Sequence, residues 1–153
     1  MSIEIGQAAP DIELKDQNKN PWKLSDHRGE KVALVFFPFA FSGVCSDEFC
    51  TIRDEQDQFK NEGALAVGIS CDTTHANRGW SVVNGFEFPI LADRWPLGDV
   101  AKAYGCFNED LGVANRLTVI VDADGNVVET FATGALTEAR DSADYHTTLS
   151  ALV

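Results

Sequence analysis

Basic residues are scarce in this sequence, and long hydrophobic runs are missing. The 12 lysines and arginines stand against 24 aspartates and glutamates, which gives a formal net charge of −12. This charge repels nucleic-acid phosphates and anionic lipid surfaces, so we expect neither nucleic acid nor a membrane as a partner. The longest apolar run, residues 32–41, contains Pro38 and has about half the length that spans a bilayer. The first residues lack the pattern of a signal peptide, and we expect a cytoplasmic protein.

Cysteine spacings typical of metal sites or disulfide reductases are also missing. The chain has 4 cysteines but no C-x2-C motif, and its 3 histidines, His27, His75 and His146, are scattered. We therefore expect no zinc site and no thioredoxin-type reductase, and we interpret His75 and His146 as surface residues. In a cytoplasmic chain, isolated cysteines favour catalytic or buried thiols over permanent disulfides.

The order of strand-like and helix-like segments predicts a single α/β domain over residues 1–153. Unbroken apolar runs indicate strands buried on both faces, and turn residues between alternating runs indicate hairpins. The predicted elements are a hairpin around 16–20, a strand at 32–37, a helix at 44–61, a strand at 64–70, a helix at 74–84, a strand at 89–91, a helix at 97–104, a hairpin with its turn at 124–126 and a helix at 136–152. This order implies a mixed central sheet flanked by helices, with an N-terminal β-hairpin.

Cys45 follows the strand predicted at 32–37, and active sites of such sheets lie beyond the carboxyl ends of strands. If the next helix begins around residue 42 or 43, Cys45 lies in its first turn, where unpaired N–H groups favour a thiolate. The Ser42 hydroxyl would cap this helix or bind a ligand, and Pro38 would shield one side of the pocket. The alternative is that Cys45 is a small buried apolar residue and Ser42 only a helix cap.

Four stretches carry a resemblance to a known family. The motif P-x-x-x-S-x-x-C, from Pro38 to Cys45, resembles the active-site motif of the peroxiredoxins, which are thiol peroxidases of thioredoxin-like fold. The stretches GQAAPDIEL, FPILAD and AYGCFNEDLGVANRLTVIVDADG resemble further peroxiredoxin segments in the same order. The last of them contains Arg116 at the position of the family's arginine before a strand.

Within that family, the chain most resembles the alkyl hydroperoxide reductase E subfamily. The resemblance rests on the Trp95-Pro96 pair, on F-N-E at 107–109 and on A-N-R at 114–116. That subfamily is regarded as one-cysteine-like and is dimeric. The resemblance therefore implies a homodimer, with residues 94–99 as part of the dimer face.

The resemblance also implies a role for each residue of the motif. Cys45 would attack hydrogen peroxide or an organic hydroperoxide and become a sulfenic acid. Ser42 and the N–H groups of Val44 and Cys45 would orient the peroxide, and Arg116 would keep the sulfur ionised, with Glu48 as a hydrogen-bonding partner. No metal or organic cofactor is implied. Without the family motif, Arg116 would be interpreted as a surface ion pair and Glu48 as a solvated carboxylate in the first turn of the helix.

A second cysteine, Cys50, lies five positions after Cys45 on the acidic side of the predicted helix, where we expect it to be exposed. Many Q-type peroxiredoxins, also called bacterioferritin comigratory proteins, carry a resolving cysteine at this spacing, which makes Cys50 the candidate for an internal disulfide. The two Cα atoms would lie about 8 Å apart in an intact helix, whereas a disulfide tolerates at most about 7 Å. The helix would therefore have to unwind.

The resolving step has further alternatives. Cys71 follows a predicted strand and is a second candidate resolver, although burial at the strand end is the favoured interpretation, and Cys106 is interpreted as a packed residue. A thioredoxin- or glutaredoxin-like protein would reduce an internal disulfide. If no cysteine of the chain resolves the sulfenic acid, an external thiol, such as a low-molecular-weight thiol, must do so.

The residues leave two other classes of function open, a redox sensor and a purely structural thioredoxin-fold module in which Cys45 has ordinary thiol reactivity. A redox sensor or relay that passes Cys45 oxidation to a partner protein needs the same reactive thiolate as a peroxidase. Turnover with a thiol reductant would favour the enzyme, whereas a stoichiometric oxidation that persists until a partner binds would favour the sensor.

Overall fold

The structure is a computed structural model that describes residues 3–152. Its strands are β1 (Glu13–Lys15), β2 (Pro21–Lys23), β3 (Lys31–Phe36), β4 (Ala64–Ser70), β5 (Ile90–Ala92), β6 (Phe107–Asn108), β7 (Val113–Ala114), β8 (Leu117–Val121) and β9 (Val127–Ala132). Its α-helices are α1 (Gly43–Asp54), α2 (Gln56–Asn61), α3 (Thr74–Asn84), α4 (Asp99–Ala103) and α5 (Ser142–Ala151). Within residues 3–152, no helix has the length and apolar character needed to cross a membrane.

Seven strands form one mixed sheet in the order β2-β1-β5-β4-β3-β8-β9. The pairs β3–β4 and β4–β5 are parallel, and the remaining pairs are antiparallel. Both predicted hairpins are present: β1 and β2 extend one edge of the sheet, and β8 and β9 form the other. The predicted α/β class, with its mixed sheet and N-terminal hairpin, is therefore confirmed.

Alternation of side chains along β3 divides the core into two apolar layers. Leu34 and Phe36 pack on one side of the sheet, where the rings of Phe36 and Tyr104 lie 5.3 Å apart. Val35 and the following residue, Phe37, pack on the other side. That second layer is covered by α1, α2, α3 and α5, and it contains Cys45.

The prediction of one continuous helix at 44–61 is wrong, because the chain leaves the helix at Glu55 and separates α1 from α2. Glu55 has φ −101° and ψ 15°, and its N–H is shared between the carbonyls of Thr51 and Ile52. Its carboxylate lies 2.9 Å from Nε2 of His146 in α5. The break therefore coincides with a contact that joins residues 91 positions apart, which helical periodicity does not reveal.

The helix predicted at 136–152 begins only at Ser142, where the Asp141 carboxylate caps α5 by accepting the Ala143 N–H. Residues 133–141, which we call the strap, run as irregular chain from β9 to α5. The Leu136 carbonyl of the strap accepts a hydrogen bond from Arg116. These polar contacts replace the helix that the sequence pattern favours.

Candidate active site

Cys45 lies in the first turn of α1, directly beyond the C-terminal end of β3. The helix begins at Gly43 with Ser42 as its N-cap, and the Ser42 hydroxyl accepts the Cys45 N–H at 3.4 Å. The Cys45 side chain is fully buried. Unpaired N–H groups at this end of the helix stabilise negative charge on the sulfur.

Arg116 is brought to Cys45 by the register of two strands. In the antiparallel pair β3–β8, Phe36 lies opposite Leu117, so the residue before β8 reaches the chain that follows β3. The Nη2 group of Arg116 donates to the Cys45 sulfur at 3.1 Å, and Arg116 is only 3% exposed. Arg116 is therefore a buried partner of the thiol, and the alternative of a surface ion pair is wrong.

Glu48 lies one turn after Cys45 and is buried rather than solvated. Its Oε1 accepts from Arg116 Nη1 at 2.6 Å, and both of its oxygens accept from Arg140. Burial alone would raise the pKa of the Glu48 carboxyl, but the hydrogen bonds and charge of Arg140, together with the charge of Arg116, hold it below the ordinary value. The carboxylate therefore remains ionised and fixes both guanidinium groups.

Arg140 is a site residue that sequence reasoning missed. It comes from the strap, and it donates to Glu48 through its backbone N–H at 2.7 Å, its Nε at 2.9 Å and its Nη2 at 2.9 Å. Its Nη1 donates to the Thr118 hydroxyl at 3.1 Å. Burial would lower the pKa of Arg140, but the hydrogen bond with Glu48 raises it above the ordinary value. Nothing in the local sequence marks this arginine, because Glu48 lies 92 positions away.

The charges of these groups explain what the site can do. Two buried guanidinium groups share one carboxylate, which leaves one uncompensated positive charge beside the Cys45 sulfur. An opposite charge at hydrogen-bond distance favours the ionised form of a thiol. The arrangement can therefore hold a nucleophilic thiolate and donate hydrogen bonds to a negatively charged oxygen next to it.

Pro38 lies in the segment 37–42 between β3 and α1, which we call the catalytic loop. It is buried and lines a cavity of about 400 Å³ together with Phe39, Cys71 and Leu111. Proline has no N–H group, so this wall offers no backbone donor to a bound molecule. The structure thus connects Ser42, Cys45, Glu48 and Arg116 by hydrogen bonds and places Pro38 at a cavity that these four residues do not line.

Cys50 lies on α1 away from Cys45, but the prediction that it is exposed is wrong. Its side chain is half-buried, and its thiol contacts Asn84 Oδ1 of α3 at 3.7 Å. Arg53 donates to the Asn84 carbonyl at 2.8 Å and so ties the same turn of α1 to the end of α3. The position is more packed than helical geometry alone indicated.

The remaining cysteines are buried thiols. Burial, with the charges of Asp93 and Asp72, raises the pKa of Cys71 to about 12. Burial and the same Asp93 raise the pKa of Cys106 above its ordinary range. Since the thiolate is the nucleophile, the structure favours the interpretation of Cys71 as a buried strand-end residue over that of an alternative resolver.

One histidine prediction is also wrong. His75 is exposed as predicted, whereas His146 is 5% exposed and lies between two carboxylates. Its Nδ1 lies 2.7 Å from Glu62 Oε1, and its Nε2 lies 2.9 Å from Glu55 Oε1. His146 therefore joins α5 to both ends of α2.

Fold and site together define a thioredoxin-like protein with a buried cysteine at a helix N-terminus, within hydrogen-bond distance of an arginine. Residues 5–130 match the model of the AhpC/TSA family, and the chain belongs to this family of peroxiredoxins. Alkyl hydroperoxide reductase E of Mycobacterium tuberculosis is 44% identical over 124 residues, which cover 80% of this chain and 81% of the relative.

Two further similarities agree with this assignment. Peroxiredoxin Bcp of Bacillus subtilis is 32% identical over 133 residues, which cover 84% of this chain and 85% of the relative. Among solved structures, peroxidoxin BcpB from Mycobacterium tuberculosis has a TM-score of 0.85 at 29% identity, over 97% of this chain and 96% of its own. The family and the fold that the sequence motifs implied are confirmed.

Proposed function

We propose that Cys45 is the nucleophile with which this peroxiredoxin reduces peroxides, and that Ser42, Arg116, Glu48 and Pro38 complete its active site. The class of activity is thiol-dependent peroxide reduction. The observation that carries the proposal for this site is the hydrogen bond of 3.1 Å from Arg116 Nη2 to the Cys45 sulfur. A redox sensor that only passes Cys45 oxidation to a partner is not favoured, because the relatives carry the names of reductases and peroxiredoxins.

In this reaction the Cys45 thiolate attacks one oxygen of the peroxide. An S–O bond forms, the O–O bond breaks, and its electron pair leaves with the second oxygen, which takes up a proton and departs as water or an alcohol. Arg116 stabilises the thiolate before attack and the negative charge on the leaving oxygen during it. The Ser42 oxygen accepts the Cys45 N–H, so the Ser42 hydroxyl proton can be donated to the peroxide.

The substrate class follows from the bond that the reaction breaks. The site acts on the O–O bond alone, and both hydrogen peroxide and organic hydroperoxides supply it. Cys45 is fully buried, so side chains around it must move to admit the reacting oxygens. Water exclusion at this point strengthens each hydrogen bond of the site.

We further propose that Cys50 resolves the sulfenic acid as an internal disulfide, which a thioredoxin- or glutaredoxin-like protein then reduces. The half-buried position of Cys50 on α1 supports this only if α1 opens, because the contacts with Asn84 hold Cys50 against α3. Opening must also withdraw Phe49, whose ring lies 4.6 Å from that of Phe37. If α1 stays closed, an external thiol of low molecular weight must reach Cys45 instead.

We infer a homodimer through the exposed apolar side chains around the catalytic loop. Phe39, Phe41, Trp95 and Leu111 are 43%, 57%, 86% and 56% exposed, which is unusual for one region of a monomer. Phe39 and Leu111 line the same cavity. Arg94, the residue before Trp95, also lines it. Sedimentation velocity should give twice the chain mass, and Trp95→Lys should shift it towards the monomer, whereas a monomeric unaltered protein would contradict the inference.

We also propose that residues 1–153 act as one domain in the cytoplasm. The site is assembled from segments between residues 38 and 140 around one sheet, which supports a single unit. The four cysteines are free thiols, as a reducing compartment favours. Limited proteolysis that released a stable fragment, or export of the protein from cells, would contradict these two proposals.

The function is tested by adding one equivalent of hydrogen peroxide to the fully reduced protein, followed by intact mass and non-reducing peptide mapping. We expect rapid oxidation of Cys45 in the unaltered protein and in Cys50→Ser. Cys45→Ser should show no rapid oxidation. A peptide that joins Cys45 to Cys50, with loss of two hydrogens, would support the internal disulfide. A gain of one oxygen on Cys45 alone would assign resolution to an external thiol, and an unchanged Cys45 would refute the proposed peroxidase site.

A further inference from the structure

Two hydroxyl groups form a buried pair behind the site without contacting the thiol. Thr118 lies in β8, two positions after Arg116, and Tyr145 lies in α5. They are 0% and 2% exposed, and the Thr118 hydroxyl donates to the Tyr145 oxygen at 2.7 Å. Their surroundings are largely apolar: the Tyr145 ring lies 5.6 Å from that of Phe131 and belongs to the apolar layer that contains Leu149.

Burying two hydroxyl groups in an apolar layer is unfavourable unless they also satisfy another hydrogen-bonding group. Valine and phenylalanine would fill nearly the same volumes without burying two polar groups. The additional contact is with Arg140, whose Nη1 donates to the Thr118 oxygen at 3.1 Å. The three groups form a chain of hydrogen bonds in which the Thr118 oxygen accepts from Arg140 while its proton goes to Tyr145, and such chains strengthen one another.

Arg140 has a backbone hydrogen bond to Glu48 at 2.7 Å, but no regular secondary structure supports its side chain. It lies in the strap, which has neither helix nor strand and is largely exposed. Its Nε and Nη2 groups donate to the Glu48 carboxylate. Its Nη1 group donates to Thr118, which links the guanidinium to strand β8 of the central sheet. Thr118 and Tyr145 thus anchor the guanidinium to β8 and α5, which are rigid elements.

The anchored guanidinium acts on the thiol through two further contacts. Arg140 holds Glu48, Glu48 accepts from Arg116 Nη1 at 2.6 Å, and Arg116 Nη2 contacts the Cys45 sulfur. If Arg140 rotates, the Glu48 carboxylate moves with it, and the fork of Arg116 no longer points at the sulfur. A displacement of about 1 Å in such a constellation is enough to slow a reaction strongly.

We propose that Thr118 and Tyr145 are positioning residues for the peroxidase reaction: their hydroxyl pair orients Arg140 and, through Glu48 and Arg116, sets the reactivity of Cys45. The proposal rests on the proposed function. It predicts that the hydroxyl groups, and not the volumes of the two side chains, determine how fast Cys45 reacts.

The test compares variants that remove a hydroxyl with one that keeps it. Thr118→Val should slow the oxidation of Cys45 by hydrogen peroxide about tenfold, the effect of one buried hydrogen bond to a charged group. Tyr145→Phe should slow it less, because the bond between Tyr145 and Thr118 joins two neutral groups. Thr118→Ser should restore most of the rate. The double variant should be no slower than the slower single variant, because both changes interrupt one chain of hydrogen bonds. Thr130→Val, on the neighbouring strand β9, is the control for a threonine outside the site.

A second measurement separates positioning from packing. In Thr118→Val and Tyr145→Phe, the rate of Cys45 alkylation by iodoacetamide should begin to rise at a higher pH than in the unaltered protein. The thermal unfolding midpoints of both variants should stay close to that of the unaltered protein. Unchanged oxidation rates and alkylation profiles in both variants would overturn the proposal, as would equal losses in Thr118→Ser and Thr118→Val. If the unaltered protein fails to react with peroxide, the proposed function fails, and the alkylation profiles alone then support or overturn the positioning role.

Discussion

At the residue scale, the site depends on a single carboxylate that is shared by two arginines. Glu48 without its partners would be a buried charge, and Arg116 without Glu48 would lose the contact that aims its fork at Cys45. Breaking a buried ion pair by removing one partner typically costs about 3–5 kcal/mol. The position of the Arg116 guanidinium therefore depends on Glu48.

The first prediction concerns Arg116→Lys. A lysine keeps the positive charge but lacks the planar fork that contacts Glu48 and the Cys45 sulfur together. We expect the second-order rate constant for Cys45 oxidation to fall by about 100-fold, as when one donor of an oxyanion hole is removed. Stopped-flow measurement with hydrogen peroxide gives this rate constant.

Arg53→Lys is the matched control, because Arg53 lies on α1 but its guanidinium bonds Asp54 and the Asn84 carbonyl rather than the site. It should retain the rate of the unaltered protein. A rate for Arg116→Lys within about threefold of the unaltered protein would show that charge alone suffices and that the fork geometry is irrelevant.

The sequence predicted the residues around Cys45 better than those around Arg140, and the reason is their distance along the chain. Ser42 and Cys45 are joined by one helical turn, which local patterns describe, whereas Glu48 was assigned to the site only through the family motif. Arg140 meets Glu48 across 92 positions and His146 meets Glu55 across 91, and no local pattern specifies such contacts. For Arg116, the family motif supplied what the local pattern lacked.

At the element scale, α1 is held in place by an aromatic cluster beneath it. Phe49, one turn after Cys45, packs 4.6 Å from the ring of Phe37 and 5.2 Å from that of Trp80. Trp80 also donates to the Ser46 hydroxyl at 3.0 Å, which ties α3 to the first turns of α1. The position of the thiol therefore depends on the space below Phe49.

The second prediction tests that space with Gly68→Ala in β4. A Cβ atom at Gly68 would lie 2.5 Å from Cε2 of Phe49, so the ring and α1 must shift. We expect a loss of about 1–3 kcal/mol in the free energy of unfolding, as for overpacking of a core, together with slower Cys45 oxidation. Urea unfolding and the peroxide rate constant measure the two effects.

Gly79→Ala in α3 is the matched control. Its Cβ would meet Phe41 Cζ at 3.5 Å, an ordinary contact, and alanine is favoured over glycine inside a helix by about 0.5–1 kcal/mol. Gly79→Ala should therefore raise stability while Gly68→Ala lowers it. Equal stability of Gly68→Ala and the unaltered protein would mean that Phe49 does not fix α1.

Strands and hairpins were predicted more accurately than the ends of helices. The apolar runs of β3 and β4 specify buried strands by themselves, and both predicted hairpins are present. In contrast, the break at Glu55 and the irregular strap coincide with ion pairs to other elements, which outweigh local helix preference. Tertiary contacts of charged side chains thus account for both errors.

At the scale of the whole molecule, α5 closes the structure through charged contacts on two sides. Lys31 of β3 donates to the carbonyls of Glu62, Leu149 and Leu152 at 3.0, 3.0 and 2.9 Å, where its charge complements the C-terminal ends of α2 and α5. His146 of α5 contacts Glu55 and Glu62, the residues that flank the two ends of α2. The docking of α5 should therefore respond to pH.

The third prediction concerns this pH dependence. Both ring nitrogens of His146 face carboxylate oxygens, an arrangement that only the protonated imidazole, with two N–H donors, satisfies. Burial would lower the pKa of His146, but hydrogen bonds to Glu62 and Glu55, and the charges of both, raise it above the ordinary value. The stabilisation is therefore complete below the unfolded pKa of about 6.5 and is lost as the pH rises through the higher folded value.

His146→Gln should consequently lower the free energy of unfolding more at about pH 6 than at about pH 9, because only the protonated histidine contributes the ion pairs. Urea unfolding of the variant and the unaltered protein at both pH values gives the difference, in which the pH response of the other carboxylates cancels. His75→Gln is the control, since His75 is exposed on α3. A loss of stability in His146→Gln that is the same at both pH values would mean that His146 contributes by packing against Phe59, whose ring lies 4.5 Å away, and not by its charge.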